Sequence, residues 1–324
     1  AASLAAGVAL AGTSAGLCWA PFNDAAERVV AAASRAAALS VVSTGTSIGV
    51  IAAACIAWGV AENLIHWRAA WAGFAGAGIV LAAAARAGLP SGRGFKPSRE
   101  AVGDIVEVAL PAALSPDPSP KIAAAGARLT QRAAIPLYAS ALSFGMTNAI
   151  FLSFAADRVV SAGGLPGLPD ADASVVIFLC YGVFGLIGLA TGWFESRLGL
   201  APLLCGIFGA GAVSLALIAL APTSWSGVVA ASGLHGVAIM MVSAVFSFWS
   251  LRLFPGRGTL GFTATLLCMA SGSVAGPALA GLLADAVGAA VMFLIAAIPS
   301  LVMAFWFSAR LSSPRPRLPP VTAS

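Results

Sequence analysis

Apolar runs of about 20 residues recur along the whole chain, and each is long enough to cross a bilayer as a helix. They run Ala1–Pro21, Ala36–Ala61, Trp67–Ala85, Ala133–Ala156, Val175–Phe194, Leu200–Ala221, Ser226–Leu251, Leu260–Ala284 and Val287–Phe307. The first pattern continues as a helix through Asp24, Glu27 and Arg28. Between the third and fourth runs lies the one long polar stretch, Arg86–Arg132, rich in Pro, Lys and Arg. The pattern predicts an all-α polytopic membrane protein with about nine transmembrane helices. It divides the chain into a partial amino-terminal bundle of about three helices (residues 1–85), a central loop (86–132) and a carboxy-terminal bundle of about six (133–309). A Pro/Arg tail (310–324) closes the chain and is expected to be disordered.

Composition strengthens this reading. The 324 residues are 60% hydrophobic and only 9% charged, against roughly 25% charged in soluble domains. Glycine occurs 36 times, as suits helices that pack closely through small residues. The five cysteines sit inside apolar runs without metal-ligand spacing, so neither a metal nor a disulfide framework is expected. No charged region precedes the first run, so the start does not read as a signal peptide.

The net charge of +5 points to topology rather than to nucleic acid. With the amino terminus outside and the spans alternating, the inner ends hold all 17 basic residues except Arg68 and Arg158. The central loop and the carboxy terminus are then cytoplasmic, and the protein is a multi-pass protein of the cell membrane. Trp58, Trp67, Trp71 and Trp225 fall at the outer interface, and Trp193, Trp249 and Trp306 at the inner one. Within the loop, Arg99–Leu110 reads either as a helix lying on the membrane surface or as a solvated linker helix.

An ionisable group inside a span costs about 2.5–3.5 kcal/mol at the centre, so each one is a candidate for function. Asn23, Asp24, Glu27 and Arg28 follow the first run. Asp24 and Arg28 share a helix face. They would bind a cationic substrate or a coupling proton, or form an interfacial charge cluster. His235 lies alone in the seventh run, either as a proton- or substrate-binding group or as a neutral ring bonded to a neighbouring helix. Asn148, with Phe144, is the polar candidate of the fourth run. Gly45 with Gly49, and Gly272 with Gly276, are G-x-x-x-G pairs suited to close packing.

Three stretches together resemble the major facilitator superfamily of secondary transporters. The first runs from Gly12 to Gly49 and places Gly16, Pro21, Arg35, Gly45 and Gly49 as in the family's fourth and fifth spans. The second is H-W-R-A-A-W (66–71), which looks like the entry to the sixth span. The third is G-S-V-A-G-P-A-L-A-G-L-L-A-D (272–285), containing Pro277 and followed by Gly288, which looks like the eleventh. The loop G-W-F-E-S-R-L-G (192–199) resembles the family's G-x-x-x-D-R-x-G signature. Gly192, Arg197 and Gly199 are kept; Ser196 replaces the Asp, and Glu195 stands one place early. Val50 replaces the Pro of the antiporter-type fifth-span motif.

The resemblance covers essentially the whole chain and implies spans four to twelve of a twelve-span fold, with the first three missing. Such a chain alone would not close one side of a translocation path. The resemblance further implies that Asp24, Asn148 and His235 lie on cavity-lining spans, that Glu195 and Arg197 make a gating charge contact, and that the glycine pairs and Pro277 are packing pivots. The tight loop at Glu195 also reads as merely solvated.

The function expected is secondary active transport of a small solute by alternating access, coupled to protons, with the lipid bilayer as the other partner. The alternatives are a receptor or sensor without transport, or an inactive transporter fragment. An enzyme is not expected: there is no H-E-x-x-H, His235 is the only histidine within an apolar run, and there is no P-loop for an ATP-driven pump. No cofactor and no nucleic-acid partner are expected.

Overall fold

In the computed structural model, residues 26, 30–31, 34–88, 129–254 and 257–311 are described. Asn23, Asp24, Glu27 and Arg28, the first predicted span, nearly all of the central stretch and most of the tail lie outside them. Among the described residues there is no strand, and the α-helices number nine: α1 (Arg35–Ala61), α2 (Trp67–Gly88), α3 (Ile135–Ser161), α4 (Ala173–Gly185), α5 (Thr191–Leu198), α6 (Leu200–Leu220), α7 (Trp225–Leu253), α8 (Gly258–Val287) and α9 (Ala289–Leu311). A 3₁₀ segment, Leu186–Ala190, joins α4 to α5, so these form one span with a tightened middle. Eight helical segments are thus long and apolar enough to cross a membrane, and each coincides with one of the second to ninth apolar runs.

The chain forms two compact units, residues 1–58 with 127–324, and residues 59–126. Within the larger unit, α1 packs with the carboxy-terminal helices. The Cβ site of Gly182 abuts Ile51 and the Ser47 carbonyl, that of Gly188 abuts Thr44, and the Gly192 amide donates to Ser40 Oγ at 3.2 Å. In the smaller unit, α2 buries none of its apolar window, and Trp71, Ile79, Val80 and Leu81 are all exposed. Apolar exposure of this kind suits lipid rather than water.

The six spans from α3 to α9 pair in a regular way. The closest-packed pairs are α3 with α8, α4 with α7, and α6 with α9. Grouped as two consecutive triplets (α3, α4/α5, α6 and α7, α8, α9), the first span of each packs on the second of the other, and the third spans pack together. Exchanging the triplets leaves this scheme unchanged. Because three crossings reverse the direction of the chain, the second triplet is inverted relative to the first.

Glycine makes both crossed seams close. On α3–α8, the Cβ site of Gly145 falls on the Met269 carbonyl, that of Gly272 on the Leu142 carbonyl, and that of Gly276 within 2.6 Å of the Met146 carbonyl. Ser273 Oγ donates to Gly145 O at 3.2 Å across the same seam. On α4–α7, the Cβ site of Gly236 falls on the Tyr181 carbonyl, and that of Gly185 lies 3.4 Å from Gly236 O. Pro277 sits half-buried inside α8, next to Gly276. Gly45 and Gly49, by contrast, have no atom of a described residue within 4 Å of their Cβ sites. The packing face of α1 carries Thr44, Ser47 and Ile51 instead.

Two hairpin corners need glycine backbones. Gly199 ends α5 at φ 83° and ψ 171°, and Gly288 ends α8 at φ 83° and ψ 156°, a region that other residues avoid. Gly199→Ala and Gly288→Ala are each expected to cost about 1–3 kcal/mol. Thermal unfolding in detergent measures this.

Apolar cores fill both halves of the bundle. Phe144 meets Phe208 and Phe246 edge-on, while Phe151, Ile177, Leu215 and Phe293 fill the other half. The ends differ in charge. One carries Arg132, Arg197, Arg252, Arg257 and Arg310 with Glu195; the other carries Asp157, Asp170, Asp172 and Asp285 with Arg158. Cross-links fix each end: Gln131 Nε2 donates to Leu253 O at 3.2 Å, and Arg158 donates to Ala219 O at 3.0 Å.

Candidate functional site

Small residues on α7 let its neighbours come close enough to enclose a histidine. Gly233 lies under the Phe184 ring, and Gly236 touches the Tyr181 backbone. The side chain between them, His235, is 1% exposed. At 1.5 Å per residue it lies about 15 Å from the start of α7, a distance of about half the hydrocarbon thickness of a bilayer.

The ring is held by stacking and one polar contact. Phe151 of α3 stacks on it at 4.0 Å between centroids and 8° between planes. Tyr181 of α4 approaches at 6.1 Å and 32°. His235 Nδ1 lies 3.2 Å from Ser214 Oγ on α6, and that hydroxyl donates to Ala231 O at 2.8 Å. Ser214 therefore accepts from the ring, which places the hydrogen of the neutral imidazole on Nδ1. His235 Nε2 is then a bare acceptor, buried and without a hydrogen-bond partner among the described residues. Ser232 Oγ, three residues earlier on the same helix face, is buried and unpartnered as well. A buried polar atom without a partner is rare enough to need a reason.

Asn148 belongs to this cluster. Its Oδ1 accepts from Tyr181 Oη at 3.4 Å, so α3, α4, α6 and α7 all contribute. The cluster offers one lone pair and one unpartnered hydroxyl inside an apolar shell, which can take up a proton or a hydrogen-bond donor of a small solute. Among the described residues no three of His, Cys, Asp and Glu converge as metal ligands.

The loop candidates lie at the basic end. Glu195 makes a two-point contact with Arg252 of α7, at 2.6 and 3.1 Å. Glu195 thus faces a basic helix end. Arg252 is 54% exposed, which limits the pair to about 1 kcal/mol or less. Arg197 does not join it; its guanidinium lies over the Trp193 ring at 5.4 Å. Gly192 has the α1 backbone at Ala36 and Ala37 within 3.2 Å of its Cβ site. Gly199 forms the corner into α6.

Sequence reasoning singled out His235 and Asn148 and missed Ser214, Phe151, Tyr181 and Arg252. For Tyr181 a signal existed, since only 2 tyrosines occur in the chain and this one interrupts an apolar run. Ser214 and Phe151 carry none, because nothing local distinguishes them from packing residues. No known protein family matches the chain, and no curated protein matches it.

Proposed function

We propose that the protein is a secondary transporter of the major facilitator type, moving a small solute across the cell membrane by alternating access coupled to protons. The observation that carries this reading is the exchange-symmetric pairing of the two inverted triplets. Inverted repeats about an axis in the membrane plane are a hallmark of secondary transporters, and three-plus-three repeats build each half of this superfamily. The motif resemblances at 12–49, 66–71, 192–199 and 272–285 point the same way.

In this reading the charge asymmetry of the bundle orients it, with the arginine-rich end cytoplasmic. His235 Nε2 is the proton-accepting atom. In the state described it is buried and stacked on Phe151. Rearrangement of α4 or α7 about their glycine seam admits water or solute to it, the ring gains its second hydrogen, and Asn148 with Tyr181 offers polar partners to the solute. Ser214 holds the ring orientation throughout.

Vesicles carrying the reconstituted protein and a trapped pH-sensitive dye test this. Sugars, amino acids, organic cations and carboxylates are added singly. One class is expected to move protons together with solute, and a protonophore is expected to abolish its accumulation. Solute accumulation that survives collapse of both the pH gradient and the membrane potential would sink the coupling. No solute movement in any class would sink transport itself.

A further inference from the structure

At the basic end of the bundle lies a cleft of about 370 Å³ between α3, α6, α7 and α9, within the range of small-molecule sites. Its walls are apolar: Leu204, Trp249 and Phe307 line it together with Ala201. Arg132 and Arg310 also line it, and both are exposed. Neither is ion-paired among the described residues, because Glu195, the single described acid of this end, is taken by Arg252. Arg310 is steadied over the Trp306 ring at 5.2 Å. Two exposed arginines lining an otherwise apolar cleft match an amphiphile with a phosphate head and a hydrocarbon tail. Arginine suits phosphate through its planar donor fork, and basic pockets between spans bind anionic lipid heads.

We propose that this cleft is a binding site for an anionic phospholipid, with the phosphate held by Arg132 and Arg310 and an acyl chain against Leu204, Trp249 and Phe307. The site stands apart from the His235 cluster and does not depend on a transport activity.

The test uses the purified full chain in neutral detergent, with phosphatidylglycerol, phosphatidylcholine or inorganic phosphate as probe. Native mass spectrometry counts retained lipid, and thermal unfolding follows stabilisation by the bound ligand. Phosphatidylglycerol is expected to bind at least tenfold more tightly than phosphatidylcholine. Arg132→Gln with Arg310→Gln is expected to weaken it about 25-fold, at about fivefold for each basic group. Ala201→Phe, which fills the cleft and keeps both arginines, is expected to lose the lipid as well. Unfolding temperatures without lipid report whether each variant folds; a misfolded Ala201→Phe leaves the arginine pair to decide. Unchanged binding in the double arginine variant would overturn the site. Equal retention of phosphatidylcholine, or equal stabilisation by inorganic phosphate alone, would overturn the anionic-lipid assignment.

Discussion

Gly145→Leu is expected to leave almost no folded protein to purify. The Cβ site of Gly145 falls on the Met269 carbonyl, and Gly272 across the seam is pressed in the same way on Leu142. A leucine side chain there meets backbone, not the movable end of a side chain. Relief requires α3 and α8 to separate, which also breaks the bond from Ser273 to Gly145 O. Overpacking a core costs about 1–3 kcal/mol even where side chains can yield, and whole domains are stable by only about 5–15 kcal/mol. Gly145→Ala is expected to fall between, at about 2–3 kcal/mol. Gly236→Leu is expected to be as severe, since it meets the Tyr181 carbonyl on the other crossed seam. Gly206 and Gly209 of α6 have open space at their Cβ sites, so their alanine variants are the controls and should unfold near the wild-type temperature. Yield of monodisperse protein and thermal unfolding decide the matter. A well-folded Gly145→Leu at wild-type temperature would mean that the two helices are not in backbone contact.

The largest functional effect is expected from His235→Phe. On the transporter reading, solute-linked proton movement falls to background while the protein stays folded. Phenylalanine preserves the stack on Phe151 and nearly the volume of the ring, and it removes both nitrogens. Ser214 loses the bond from Nδ1 and keeps the one it donates to Ala231 O, so the stability cost is about 1 kcal/mol. His235→Ala would confuse the result, because emptying a buried aromatic site costs about 3–5 kcal/mol. Tyr181→Phe removes only the bond to Asn148 Oδ1 and is expected to reduce solute affinity with coupling retained. Dye-loaded vesicles give the ratio of protons to solute for each variant. A wild-type ratio in His235→Phe would take the coupling role away from this ring.

The spans were legible because bilayer thickness imposes a length and hydrophobicity that no side-chain detail can hide. Leu200–Ala221 and α6, or Ser226–Leu251 and α7, differ by only a few residues. The tightened segment Leu186–Ala190 was not legible, since no proline or polar residue marks it. Spacing alone ranked the glycines imperfectly. Gly45–Gly49 and Gly272–Gly276 have the same motif, yet among the described residues only the second pair meets a facing backbone, while Gly145 and Gly236 have no such partner in sequence and press on facing carbonyls. What makes a glycine necessary is the backbone opposite it, and that is a property of the pairing of helices. The same limit hid Arg252, which meets Glu195 from 57 positions away, and Ser214, whose role exists only because α6 passes beside α7.

The crossed seam between α3 and α8 also sets an order of assembly. Met269 leaves the ribosome about 120 residues after Gly145, and at about 5–20 residues per second that is a delay of roughly 6–25 s. Until then the glycine face of α3 lacks the backbone it packs against, so the first triplet cannot complete this seam on its own.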